Sequence, residues 1–281
     1  MGQCLTYVKN FSTPPPSYQT VYFNEIEVRP FDVLLFTSKD KISKLIANVQ
    51  KMRTKNGAFS HTALVVTGEM MGFADNDLYT WEITMGGRMN DGITDVNGQS
   101  FLGVQNRKLS EVIEHYGQNG SDKKVALLRN KTDLFSNIDD SQKEELLRRV
   151  GLLKSQVNYS PYITNGCLLV KSVFHAPRGL DDNIPKRFFC SQFVAFVLQK
   201  MGILNEKVKC EFVIPVDFIP GVDTDNEVNC CEEPVYVQFR RPEEVKDLEI
   251  VDNSSIELKV IPEEPPQIVQ ADKVEKEEKK D

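Results

Sequence analysis

Thiol chemistry is the chemistry this sequence is best equipped for, and one of its six cysteines stands apart. Cys190 begins a segment, Phe189–Met201, in which Phe193, Val194, Val197, Leu198 and Met201 recur at helical spacing before Gly202 ends it. A cysteine at a helix N-terminus, here preceded by Lys186 and Arg187, sits where the helix dipole and neighbouring cations favour thiolate over thiol. A thiolate attacks carbonyl carbon, and a nearby imidazole completes its activation. Of the three histidines, His61 alone starts an apolar strand pattern, Phe59-Ser60-His61-Thr62-Ala63-Leu64-Val65-Val66, which puts it at the rim of a sheet. Glu82 is a carboxylate inside the aromatic and β-branched run Leu78–Thr84. If these two strands pair, Glu82 can orient the His61 ring and hold its tautomer. Each residue also has a plainer reading: Cys190 as a small core side chain, His61 as a structural histidine, Glu82 as the partner of a Lys or Arg. His115 and His175 fit no motif and read as structural or surface residues. The vicinal pair Cys230-Cys231 reads as an inert loop feature.

The elements that would position these groups read as one α+β domain. Phe31–Phe36 reads as a buried strand and Lys41–Arg53 as a helix, with Ile42, Leu45, Ile46 and Val49 on one face. The strands 59–66 and 78–84 suggest a hairpin with a generous loop across 68–77, the second strand ending at Gly86-Gly87. Val125–Arg129 reads as a further strand. Ser141-Gln142-Lys143-Glu144 opens a helix that runs to Val157, with a capping-box-like start. The helix after Cys190 is expected to bury one face against the sheet. No internal repeat is present.

Composition narrows the function classes. The 281 residues carry 34 Lys and Arg against 41 Asp and Glu, a formal charge of −7. That balance excludes a general nucleic-acid binder, which needs a basic footprint. Apolar residues are 40% of the chain, enough for a true core. No apolar run reaches the ~18–20 residues that span a bilayer, and no signal-peptide h-region opens the chain. Without a C-x-x-C pair, the cysteines suggest neither a disulfide framework nor a zinc site, and thiol hydrolysis needs no metal or cofactor. The N-x-S/T triplets at Asn10, Asn119, Asn130, Asn158 and Asn253 then read as chance matches in a reducing, cytosolic-side protein.

The two ends differ from the middle, which divides the chain into 1–20, 21–240 and 241–281. Met1-Gly2-Gln3-Cys4-Leu5-Thr6 matches the N-myristoylation pattern, with Gly2 as acceptor and Thr6 as the hydroxyl residue. One such chain anchors only marginally, and Cys4 offers a palmitoylation site as the second signal. The expected location is the cytosolic face of a membrane in a eukaryotic cell, or a virion. Pro14-Pro15-Pro16 reads as a polyproline II spacer, and Pro15-Pro16-Ser17-Tyr18 has the pattern bound by WW domains. An acylated N-terminus followed by that pattern resembles the layout of viral matrix proteins. From about residue 255 the mixed-charge sequence reads as a solvated tail.

The blocks Arg29-Pro30-Phe31-Asp32-Val33-Leu34-Leu35-Phe36, Phe59–Val66, Trp81-Glu82-Ile83 and Phe189-Cys190-Ser191-Gln192-Phe193-Val194 resemble the circularly permuted branch of the NlpC-type papain-like superfamily. YiiX-like proteins and poxvirus homologues belong to that branch, and lecithin:retinol acyltransferase relatives are distant kin. The order His, Glu, Cys marks the permuted form, and the match covers roughly residues 25–205. The resemblance implies a permuted papain-like α+β fold: an antiparallel sheet packed against helices. It implies Cys190 as nucleophile, His61 as base and then acid, and Glu82 as the orienting third member, with Tyr159 matching a family tyrosine. The sequence departs from the pattern where Phe31 replaces a glycine and Gln192 a glutamate. The implied activity is a cysteine hydrolase or acyltransferase, on peptide amides or on acyl lipids. The alternatives are a membrane-associated viral structural or adaptor protein built on the same scaffold, and a small-ligand-binding domain with an idle cysteine.

Overall fold

The computed structural model describes residues 18–37, 41–54, 57–84, 93–99, 103–118, 121–136, 138–157, 188–222 and 228–240. The chain divides into two units, Met1–Arg240 and Arg241–Asp281, and all of these residues lie in the first. Its strands are β1 (Thr20–Tyr22), β2 (Val33–Thr37), β3 (His61–Thr67), β4 (Leu78–Thr84), β5 (Gly103–Lys108), β6 (Lys124–Leu128) and β7 (Val235–Gln238). They form one open sheet in the order β1-β7-β6-β2-β3-β4-β5. Every pairing is antiparallel except β1 with β7. The helices are α1 (Lys41–Thr54), the single turn α2 (Gly68–Met71), α3 (Leu109–Tyr116), α4 (Asp140–Val157) and α5 (Cys190–Lys200). The molecule is thus mixed α/β, a mostly antiparallel sheet packed with helices. None of these helices is long and apolar enough to cross a membrane.

Side chains alternate across a strand, and here both faces are buried, which is why the central strands read as nearly unbroken apolar runs. One face carries Val33, Leu35, Leu64, Val66, Trp81 and Ile83 and packs with Leu146, Val150 and Leu153 of α4 and with α5. The opposite face carries Leu34, Phe36, Ala63 and Val65 and is covered by Leu109, Val112 and Ile113 of α3. The hairpin expected from 61–84 forms, with Leu64 opposite Trp81 and α2 inside its loop.

Two local expectations change. Helix α5 does not bury a single face: every residue from Cys190 to Leu198 is buried, as befits a helix apolar nearly all round. The cap of α4 lies two residues earlier than the sequence suggests. The Gln142 N–H donates to Asp139 Oδ1 (2.8 Å) and the Asp139 N–H to Gln142 Oε1 (3.0 Å), a reciprocal box in which aspartate takes the usual place of serine.

The chain enters β2 through a sharp turn at Phe31, the only non-glycine residue with positive φ (68°) among those described. That conformation favours glycine. Phe31 holds it because its ring is buried and stacks on Phe135 with centroids 6.0 Å apart. The following carboxylate, Asp32, fixes the turn. Its Oδ2 accepts the Arg29 N–H and its Oδ1 the Asn130 N–H, both at 2.9 Å.

Candidate active site

The strand registers bring a polar group together on the face that otherwise packs against α3. Thr80 stands opposite Arg107 and Glu82 opposite Gln105 on the β4–β5 ladder. Val65 stands opposite Thr80 on the β3–β4 ladder. Two-residue alternation then puts His61, Thr80, Glu82 and Arg107 on one face. His61 is the first residue of β3 and Cys190 the first of α5. The packing of α5 on the hairpin, with Phe193 edge-on to Trp81 at 5.3 Å, sets where Cys190 falls.

At the centre is the Glu82 carboxylate, and its four acceptor sites are all used. Oε1 accepts from Thr80 Oγ1 (2.6 Å) and Arg107 Nε (2.8 Å). Oε2 accepts from Arg107 Nη2 (3.0 Å) and from His61 Nε2 (2.5 Å). The Cys190 side chain lies beside the His61 ring. An acceptor-only carboxylate on Nε2 assigns a proton to that nitrogen. Cys190 is 3% exposed, His61 5% and Glu82 0%, so the pairing takes place away from bulk water.

The electrostatics follow from that burial. Desolvation alone would lower the imidazole, but the Cys190 sulfur and the Glu82 carboxylate outweigh it and raise His61 to about 10. Desolvation alone would raise Glu82; the Arg107 charge and the His61 ring hold it well below the usual carboxylate range. Glu82 thus keeps the His61 ring oriented beside Cys190.

The three residues expected to act together do meet. The sequence reading missed Arg107 and Thr80, which hold Glu82. Gln192 serves the local structure. Its Oε1 accepts the Phe189 N–H (3.0 Å) and its Nε2 donates to the Glu211 carbonyl (2.6 Å), tying down the start of α5. His115, on α3, contacts Lys123 Nζ at 2.6 Å and packs edge-on to Tyr116. Tyr18, the tyrosine of the WW-type pattern, is partly buried between Phe59 and Tyr236, with ring centroids at 6.4 and 5.4 Å. Gly2, Cys4, Pro15, Pro16, Tyr159 and His175 lie outside the described residues. Among the described residues no group of three or more His, Cys, Asp or Glu is placed to hold a metal ion. No protein-family model matches the chain, and no curated protein matches it.

Proposed function

We propose that this protein is a membrane-tethered cysteine hydrolase or acyltransferase acting on an amide, ester or thioester, built on a circularly permuted papain-like fold. The observation that carries the proposal is the buried series Cys190–His61–Glu82, in which the carboxylate holds the imidazole beside the sulfur. Two further features support the family reading. The three residues occur in the permuted order, and the position where the family pattern has glycine adopts a φ of 68°, as a glycine position would.

In the proposed reaction the proton of the Cys190–His61 pair rests on the ring, and the sulfur adds to the substrate carbonyl. The first N–H groups of a helix lack intrahelical partners, and the N–H of Cys190 is offered as one oxyanion donor. His61 then gives its proton to the departing amine, alcohol or thiol. Water or an acyl acceptor, deprotonated by His61, releases the acyl group and restores Cys190. Glu82 holds the imidazolium throughout, as Arg107 holds Glu82.

Acylation at Gly2 and Cys4 would keep this site at a bilayer, which tilts the substrate toward acyl lipids or lipid-modified chains. Gly2→Ala should leave the protein soluble on fractionation of a eukaryotic cell, and Cys4→Ser should leave it weakly bound. Continued full pelleting of the Gly2→Ala protein would place the anchor elsewhere. A WW-domain partner remains part of the proposal and requires Tyr18 to leave Phe59 and Tyr236.

The deciding test for catalysis is labelling with an electrophilic acyl probe at neutral pH. Cys190 should react selectively, and Cys190→Ala should abolish the label. Equal labelling of the mutant would remove the enzyme reading. The competing reading, a papain-like domain serving as a membrane-bound adaptor, is favoured by one observation, the near-complete burial of Cys190. It predicts an unlabelled wild type.

A further inference from the structure

A second pair of sulfurs lies outside this site. Cys230 and Cys231 are buried and their Sγ atoms are 3.6 Å apart, in hydrogen-bonding contact. Both flanking residues, Asn229 and Glu232, are exposed, so the pair lies one residue from solvent on either side. Backbone contacts fix the dipeptide beyond the end of β6. The Cys230 carbonyl accepts the Lys131 N–H (2.9 Å), Cys231 bridges Asn130, and the Glu232 N–H donates to the Arg129 carbonyl (2.8 Å). The Lys131 ammonium hydrogen-bonds Asn229 beside the pair. Contact with the Cys231 sulfur lowers the Cys230 thiol below its ordinary value against the opposing effect of burial, and Lys131 adds to the lowering. The same contact, together with burial, holds Cys231 well above its ordinary value. The two sulfurs therefore titrate as one pair rather than independently.

We propose that Cys230 and Cys231 form a reversible dithiol–disulfide switch whose oxidant is a hydroperoxide. One sulfur of the pair, as thiolate, attacks the peroxide oxygen, giving a sulfenic acid and releasing hydroxide. The second sulfur then displaces the sulfenic oxygen as water, forming the S–S bond. Two electrons pass from the two sulfurs to the peroxide, and thiolate, thiol and hydrogen peroxide become disulfide, hydroxide and water. The product is labile for a geometric reason. Disulfides prefer Cα atoms roughly 4.4–6.8 Å apart, whereas adjacent residues across a trans peptide are held at about 3.8 Å. Strained disulfides are the easily reduced, regulatory ones, which suits a compartment that otherwise keeps thiols reduced. The sulfurs must close from 3.6 Å to roughly 2 Å. That movement strains the 230–231 peptide, whose hydrogen bonds join the start of β7 to Arg129, Asn130 and Lys131 after β6.

The test uses the full chain carrying Cys190→Ser, so that the proposed nucleophile does not consume the oxidant. After hydrogen peroxide, the proteolytic peptide containing Cys230 and Cys231 should lose two hydrogen atoms by mass. Dithiothreitol should restore them, and Cys230→Ser should abolish the change. Hydrogen exchange in Val235–Gln238 should rise on oxidation and return on reduction. Retention of both thiols, stepwise oxygen addition to one cysteine alone, or a disulfide linking two chains would each overturn the proposal. None of these outcomes bears on the Cys190 reading, which the acyl probe decides separately.

Discussion

Arg107 binds each oxygen of the Glu82 carboxylate, Nε to Oε1 at 2.8 Å and Nη2 to Oε2 at 3.0 Å. Both residues are buried on adjacent strands, and the planar fork of the guanidinium matches the carboxylate at two points. A charged pair with this much burial is held together by its geometry; on its own each charge would be expelled or neutralised. The pair therefore fixes Glu82 as an anion, which in turn fixes the proton on His61 Nε2.

Removing Arg107 leaves a buried carboxylate with half of its hydrogen bonds. Arg107→Met should destabilise the protein by about 3–5 kcal/mol in urea unfolding. The Arg107 charge lowers Glu82, so its loss raises the carboxylate toward its ordinary range. The acid limb of kcat/KM against pH should then move to higher pH. Arg107→Lys keeps the charge without the two-point hold and should fall between the two. A role confined to folding would lower the amplitude of the profile and leave its limbs in place.

His61 and Glu82 should separate stability from activity in opposite ways. His61→Ala removes the base, and turnover should fall roughly 10²–10⁴-fold, while Glu82 keeps its bonds to Thr80 and Arg107. Glu82→Gln turns an amide N–H₂ toward Arg107, which only donates, and removes the carboxylate that pairs with its charge, so it should be the less stable of the two variants in urea. Charging of His61 also sets a pH dependence. Its folded value, about 10, lies above the ordinary 6.5, so the folded state binds that proton more tightly. The resulting stabilisation is complete below about pH 6.5 and is lost as pH rises toward 10. The stability gap between wild type and His61→Ala should narrow across that interval; a constant gap would contradict the charged imidazole.

How much of this was legible depended on what each residue's neighbours say about it. Glu82 stood out because it interrupts an aromatic, β-branched strand, and a carboxylate there must be paired. His61 stood out at the start of an apolar run, and Cys190 at a helix start. Arg107 did not, because Gly103–Lys108 holds one large aliphatic residue, Val104, among polar ones and reads as solvated loop. Only the register, with Arg107 opposite Thr80 two residues from Glu82, turns it inward. The strands β1 and β7 are 3 and 4 residues long, too short for periodicity to declare them. Phe31 was legible as a departure from a glycine, but its compensation by ring packing depends on Phe135, far along the chain.

That compensation can be weighed. A left-handed conformation costs a non-glycine residue roughly 1–2 kcal/mol, whereas truncating a buried phenylalanine costs roughly 3–5 kcal/mol. Packing wins, so Phe31→Gly should destabilise the protein by about 1–4 kcal/mol despite relieving the backbone. Phe31→Ala should be worse than Phe31→Gly, since it loses the ring and keeps the strain. Guanidinium unfolding of the three proteins checks the order; an Ala variant more stable than the Gly variant would mean that the φ of 68° carries no strain.

Asp32 titrates in the opposite sense to Glu82. Burial is the largest influence on it and raises it to about 6, against the lowering effect of the N–H groups of Arg29 and Asn130 and the charges of Arg129 and Arg29. Among the described residues no side chain clamps it as Arg107 clamps Glu82, which is why burial prevails here and fails there. A carboxyl with a raised folded value binds its proton more tightly folded than unfolded. Wild type should therefore gain stability relative to Asp32→Asn as pH falls from about 6 toward the ordinary 3.8, by at most about 1.4 kcal/mol for each pH unit. At neutral pH the variant should itself be less stable by about 1–3 kcal/mol, because an amide has one acceptor oxygen for two N–H donors. Urea melts of both proteins at about pH 7, 6, 5 and 4 measure the two effects together. A gap that stays flat from about pH 7 to 4 would mean that Asp32 keeps an ordinary carboxylate's affinity for its proton, and that the two N–H groups at the turn outweigh its burial.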